Sequence, residues 1–182
     1  MADSRKTRYV LAAVLTCSII GAAAWGLVRE RASSSVPRWS NPISNQSAQP
    51  FPAGWRSLPT AKDMPDNTWL FGDATRQQVV AIGYEKTDLP IADYVEALMS
   101  GAPTMSLIHN GKVGLEGTRQ VWSGDGAGKS TDAPSGLAVR AHVFRGDGGY
   151  WRVIEMVPET SRADADLLEP LIFRAVLATT QP

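Results

Sequence analysis

Leu137-Ala138-Val139-Arg140-Ala141-His142-Val143-Phe144-Arg145-Gly146-Asp147-Gly148-Gly149-Tyr150-Trp151-Arg152-Val153-Ile154-Glu155-Met156-Val157 is the stretch on which the fold turns. Leu137, Val139, Ala141 and Val143 alternate with Arg140, His142 and Phe144, the period of a strand with two unlike faces. Asp147-Gly148-Gly149 is a hairpin signal that leads directly into the second run, Tyr150 to Val157. Strands joined by so short a turn pair antiparallel, because a parallel pair needs a crossover of roughly a dozen residues or more.

Working outward, Lys112 to Trp122 alternates Val113, Leu115, Gly117, Arg119 and Val121 against Gly114, Glu116, Thr118, Gln120 and Trp122, which predicts one further long strand. Gln78 to Glu85 alternates around Val80, Ile82 and Tyr84 as a half-buried strand. Trp69-Leu70-Phe71 reads as a short strand closed by Gly72-Asp73, and Phe51-Pro52-Ala53-Gly54-Trp55 as an extended opening segment. Between them Asp88 supplies a helix cap and Pro90 a first-turn residue. Ile91, Tyr94, Val95, Leu98 and Met99 recur at helical spacing until Gly101 and Pro103 end the helix. Ser161 and Asp164 resemble a capping box ahead of Leu167, Leu168, Leu171, Ile172, Ala175 and Val176, a stripe in which Leu171, Ile172 and Val176 are expected to face the sheet; Pro170 interrupts it. The expected fold is α+β, an antiparallel sheet packed with two helices in one domain over residues 51–182.

Ahead of this domain, Tyr9 to Val28 contains no Asp, Glu, Lys or Arg and is bracketed by Arg5, Lys6 and Arg8 on one side and Arg29 and Arg31 on the other. At about 1.5 Å per residue such a run spans roughly 30 Å as a helix, the thickness of a bilayer core. Residues 1–8 then form a cytoplasmic leader and residues 9–28 a single transmembrane helix or uncleaved signal anchor. The competing reading is cleavage after Ala24, since Ala22-Ala23-Ala24 fits a signal-peptidase site; Trp25, Gly26, Leu27 and Val28 prolong the apolar stretch and favour retention. Ser18, Ala22 and Gly26 fall four apart and offer a helix-packing face. Residues 29–50, rich in Ser, Pro and Asn, read as a flexible linker, with Trp39 dipping into the membrane interface or packing loosely on the domain.

Charge divides the chain in the same place. Residues 1–50 carry six Lys or Arg against two Asp or Glu, whereas residues 51–182 carry twelve against sixteen, so the formal zero conceals a basic leader and a mildly acidic domain. An acidic domain without a basic cluster is a poor partner for nucleic acid. Cys17 is the only cysteine, so residues 51–182 cannot hold a disulfide, a catalytic thiol or a thiolate metal site.

The apparent chemical motifs are weak. Gly128-Lys129-Ser130-Thr131 looks like a phosphate loop, but the leading glycine falls at Ser123, and a turn and strand follow where a helix N-terminus is required; no nucleotide is expected. His109 sits in the turn-like Ile108-His109-Asn110-Gly111, and His142 shares a strand face with Arg140 near Glu155 or Glu116. No spacing suggests a metal, and no Gly-x-Ser-x-Gly elbow or evident partner set suggests serine catalysis. Binding is expected on exposed loops instead, at residues 102–111 with His109 and Asn110, and at residues 124–136 with Gly124, Asp125, Lys129 and Asp132.

The order of short strands, helix, longer antiparallel strands and closing helix, opened by Pro52-Ala53-Gly54-Trp55, resembles the PsbP-like/DcrB-like α/β sandwich. That resemblance covers about residues 51–178 and implies a domain that acts by binding, with no catalytic residues or cofactors to carry over. The resulting expectation is a bacterial inner-membrane, single-pass protein with a periplasmic C-terminal domain. It would serve as an accessory, assembly or scaffolding subunit of an envelope complex, in contact with the bilayer and with other membrane or periplasmic proteins. A periplasmic immunity or chaperone-type factor is the alternative, and a hydrolytic enzyme a distant one.

Overall fold

In the computed structural model, residues 36–60, 64–73, 78–101, 108–130 and 133–182 are described. Among these residues nine strands and two helices follow in chain order: β1 Trp39–Ser40, β2 Ser47–Ala48, β3 Trp55–Leu58, β4 Thr68–Asp73, β5 Gln78–Glu85, α1 Ile91–Gly101, β6 Lys112–Glu116, β7 Arg119–Ser130, β8 Ala133–Gly146, β9 Gly149–Pro158 and α2 Arg162–Ala178. A single 3-10 turn, Glu159–Ser161, leads into α2. Seven strands form one sheet in the order β3-β4-β5-β9-β8-β7-β6, every neighbouring pair antiparallel. The fold is thus the expected α+β sandwich, with the β8–β9 hairpin at its centre.

That hairpin closes through Asp147 (φ 56°) and Gly148 (φ 75°), both left-handed as a type I′ turn requires, and Gly146 pairs with Gly149. The register follows from it. Arg140 stands opposite Glu155, His142 opposite Val153 and Phe144 opposite Trp151.

Both faces of the sheet are covered. Tyr94, Val95 and Leu98 of α1 pack on Leu70, Val79, Ala81, Val139, Ala141, Val143, Ile154 and Met156, while Ile172, Phe173 and Val176 of α2 pack on Val80, Ile82, Val121, Phe144, Trp151 and Val153. β5 is consequently buried on both faces over Gln78–Tyr84, where sequence periodicity alone predicts a half-buried strand. Leu171 departs from expectation: it is 59% exposed, and Phe173 takes the place beside Ile172. α2 runs unbroken through Pro170, and Ser161, though its N-cap, makes no side-chain capping bond.

Two corrections concern boundaries. Residues 36–50 belong to the domain and are not a free tether. Trp39 is 1% exposed, edge-on to Trp69, Phe71 and Trp151, and its Nε1 donates to Thr179 Oγ1 at 2.8 Å. Asn41 Nδ2 donates to Thr179 O and to Asp147 Oδ2, both at 2.9 Å, so the β1–β2 hairpin is tied to the end of α2 and to the β8–β9 turn. An aromatic ring of that size buries more apolar area than the surrounding Ser and Asn cost, which overrides their turn-forming composition. The second boundary is the predicted strand Lys112–Trp122, which breaks at Gly117-Thr118 into β6 and the start of β7. Residues 1–35, with the predicted anchor and its Ser18, Ala22 and Gly26 face, lie outside the described residues. Among the described residues no helix is long and apolar enough to cross a membrane.

Candidate functional site

β7 is twelve residues long, and its pairing with β8 begins only at Val121 opposite Phe144. Arg119 and Gln120 therefore project past the sheet with β6 as their sole strand partner, through Glu116↔Arg119 and Leu115↔Gln120. Gly117 (φ 62°) occupies the first position of the connecting two-residue loop, where a left-handed residue is needed for a type II′ turn. The result is an arm, residues 111–120, exposed throughout except for a half-buried Arg119. On it Leu115 is 71% and Val113 50% exposed. The arm is stiff at its root, because the Arg119 guanidinium donates to Leu177 O at 3.1 Å, to Thr180 O at 2.7 Å and to the Thr180 hydroxyl.

Beside the root lies an open groove of about 480 Å³ between the first turn of α1 and the arm, lined by Pro90, Ile91, Arg119, Gln120, Arg145 and Tyr150 among others. Arg145 lies over the Tyr150 ring at 5.8 Å. Burial, opposed by Arg145, raises the Tyr150 phenol pKa above its ordinary value.

The predicted binding loops fare differently. His109 and Asn110 are exposed, as expected of loop residues, and their backbone N–H groups both donate to Asp125 O, at 3.1 and 3.4 Å. Asp125 itself is a half-buried strand residue opposite Arg140. Gly124 is likewise in the ladder, opposite Ala141, and a Cβ there would meet Ile108 Cγ2 at 2.5 Å. Lys129 lies in β7. Asp132 is outside the described residues. The stretch expected to be a loop over residues 124–136 is therefore mostly strand, and β8 begins at Ala133 where a phosphate loop would need a helix. The arm takes its place as the prominent exposed feature, and its only sequence signals are Gly114 and the Gly117-Thr118 pair inside an apparently regular alternation.

A second, interior cluster is one that sequence spacing does not suggest. Under α2, Ser123 Oγ lies 2.8 Å from His142 Nδ1, and His142 Nε2 meets Glu169 Oε1. With Nε2–H donating to the carboxylate, Nδ1 is the acceptor for a hydrogen bond from the Ser123 hydroxyl. The ring stacks on Phe173 at 4.2 Å. Next to it Glu155 is 2% exposed and its Oε1 has no hydrogen-bond partner among the described residues, while Arg140 pairs with Asp166. Burial first, then the carboxylates of Glu169 and Asp166, push the Glu155 carboxyl up to about 8 against the pull of Arg140.

Serine, histidine and carboxylate in a row is the constellation of a hydrolase, yet the surroundings differ from one. A nucleophilic serine needs backbone or side-chain donors aimed at a developing oxyanion. Ser123 sits mid-strand, flanked in the ladder by Lys112 and His142, so the amides around it are engaged in the sheet. The histidine is roofed by Phe173. The chain of hydrogen bonds ties α2 to β7 and β8. Among the described residues no group of three His, Cys, Asp or Glu is placed to hold a metal ion.

An antiparallel sheet with one helix on each face in this order is the PsbP-like α/β fold. The solution structure of cyanobacterial PsbP (CyanoP) from Synechocystis sp. PCC 6803 superposes on it with a TM-score of 0.54 over 79% of this chain and 92% of that one, at 13% identity, a likeness of fold alone. LpqN, involved in cell envelope biogenesis of Mycobacterium tuberculosis, aligns at a TM-score of 0.40 and 13% identity over 71% of this chain and 79% of its own, too loosely to support an inference. No family model matches the sequence, and no curated protein does.

Proposed function

We propose that the protein is a membrane-anchored accessory or assembly component of an envelope complex, acting by protein binding through the β6–β7 arm. The observation that carries this reading is the arm itself: five consecutive exposed residues of an edge strand, two of them large and apolar, held on a root fixed by Arg119. Apolar side chains on an uncovered edge invite association, and natural proteins blunt such edges unless they use them. The uncharged Tyr9 to Val28 run supports a bilayer anchor, and the periplasmic side follows from its basic leader. With the β1–β2 hairpin packed into the domain, at most seven residues, 29–35, separate the apolar run from folded structure, which keeps the domain close to the bilayer surface. The interior Ser123–His142–Glu169 chain is read as structural, since Ser123 lies mid-strand between Lys112 and His142 in the ladder and Phe173 stacks on the histidine.

The test is in-cell crosslinking of the full-length chain followed by detergent extraction and mass spectrometry, wild type against Val113→Ser/Leu115→Ser. Loss of specific crosslinked proteins in the variant, with an unchanged melting temperature, supports the reading. Identical crosslinked sets would remove the arm from it.

A further inference from the structure

The outer edge of β6 pairs with nothing among the described residues, and its sequence is self-complementary. Lys112-Val113-Gly114-Leu115-Glu116 laid antiparallel against a second copy about Gly114 sets Lys112 opposite Glu116, Val113 opposite Leu115 and Gly114 opposite Gly114. We propose that β6 pairs with β6 of a second copy about a two-fold axis at Gly114, joining two seven-stranded sheets into one. This names the first partner of the arm and so rests on the reading of the arm as a binding surface.

The physical case has three parts. An antiparallel ladder alternates residues that turn N–H and C=O toward one neighbour with residues that turn them toward the other. Every second residue of β6 thus offers an unpaired donor and acceptor to solvent, and the two-fold register meets all of them with their own equivalents. Side chains give the second part. Val113 and Leu115 share one face of the strand, so two copies bring four exposed apolar side chains together on that face, with two Lys112–Glu116 pairs of opposite charge on the other. Shape supplies the third: an edge protected by its own sequence carries a proline, a bulge or a repelling run of like charge. β6 has none of these. Lys112 and Glu116 sit at opposite ends, where they oppose each other only in the self-paired register, and a Cβ at Gly114 would meet nothing within 4 Å. Such an isologous contact closes at two copies as far as the β6 edge is concerned, the outer strand of each sheet then being β3.

Charge reversal tests the register without removing the strand. Full-length Cys17→Ala chains carrying Gly114→Cys report the contact directly, because the two introduced thiols face each other across the axis at a Cα separation within disulfide range. The expected result is a disulfide-linked dimer in detergent under mild oxidation. Lys112→Glu places Glu opposite Glu and Glu116→Lys places Lys opposite Lys; each reverses two pairs at once and should weaken dimerisation on the order of tenfold. Mixing those two variants restores both pairs, since a strand acidic at both ends then meets a strand basic at both ends, so the mixed dimer should crosslink in markedly higher yield than either variant alone. Lack of any crosslink at Gly114→Cys, or crosslinking indifferent to the charge reversals, overturns the proposal. Either result leaves the arm's other partners, read by the loss of crosslinked proteins in Val113→Ser/Leu115→Ser, untouched. A charge-dependent dimer with no other protein recovered keeps the proposal and defeats the complex-subunit reading.

Discussion

Replacing Glu155 by Gln should stabilise the domain above neutral pH and flatten its dependence on pH. Glu155 is buried between β8, β9 and the start of α2, faced by Arg140 from β8 and by Asp166 and Glu169 from α2, with His142 one step along β8. Its carboxyl is raised from an ordinary 4.5 to about 8. A group whose folded value is raised binds its proton more tightly in the native state, so folding is helped at low pH and the help is lost as pH rises toward the folded value. Integrating one such proton between about pH 5.5 and about pH 8.5 gives a loss of about 3 kcal/mol. That is a large fraction of a domain stability of about 5 to 15 kcal/mol. Gln keeps the shape and cannot ionise, and Arg140 keeps its Asp166 partner. Urea unfolding of wild type and Glu155→Gln at the two pH values supplies the comparison. The wild type should lose midpoint stability across that interval by a margin that the variant lacks, making Glu155→Gln the more stable protein at the upper pH. Should the variant retain the full wild-type loss, or be weaker by the same amount at both pH values, Glu155 is not the group that stays protonated in the native state.

The corrected face of α2 makes a paired forecast: Ile172→Ala should cost about 2 to 5 kcal/mol, whereas Leu171→Ala should stay within about 0.5 kcal/mol, both read from denaturant midpoints. Trp39→Ala should cost about 3 to 5 kcal/mol, because an aromatic core residue and a bond to Thr179 are lost together; a chain beginning at Phe51 should melt well below one beginning at Val36. Ser123→Ala should leave the chain equally inert toward fluorophosphonate probes, and labelling of wild-type Ser123 would revive the hydrolytic reading. Alkaline phosphatase fused after Pro182 should be active and remain in the membrane pellet, and a soluble product beginning at Trp25 would replace the anchor by a cleaved signal.

Where the fold is legible in the sequence, one strong local signal suffices. The Asp147-Gly148 turn specifies the central hairpin, and the spacing of Tyr94, Val95 and Leu98 specifies α1. α2 is legible as a helix but its buried face is not. Leu167, Leu168, Leu171 and Ile172 offer two overlapping stripes, and the face that packs runs Glu169, Ile172, Phe173, Val176, a regular i, i+3, i+4, i+7 series that begins with a carboxylate. Pattern reading discards a glutamate from a core face. Only His142, reached across the interface, makes Glu169 acceptable there. Trp39 illustrates the opposite failure. Its neighbours Ser40, Asn41 and Pro42 look like linker, and the partners that bury it, Trp69, Phe71, Trp151 and Thr179, lie from 30 to 140 residues away in the chain.

The interior cluster separates what a turn can tell from what it cannot. A two-residue turn fixes the register of the strands it joins, so Arg140 opposite Glu155 follows from Asp147-Gly148 alone. The β7–β8 connection gives no such guarantee. Ser130 stands opposite Ala133, and that register carried down the strands would set Ser123 opposite Arg140. A shift between Gly128 and Ser130 instead brings Ser123 opposite His142. Two residues of irregularity thus decide which polar side chain the histidine meets, and with it whether the Ser123–His142–Glu169 chain exists at all. A change that regularises this end of the hairpin should slide β7 by two residues, uncouple Ser123 from His142, and carry the β6 edge with it.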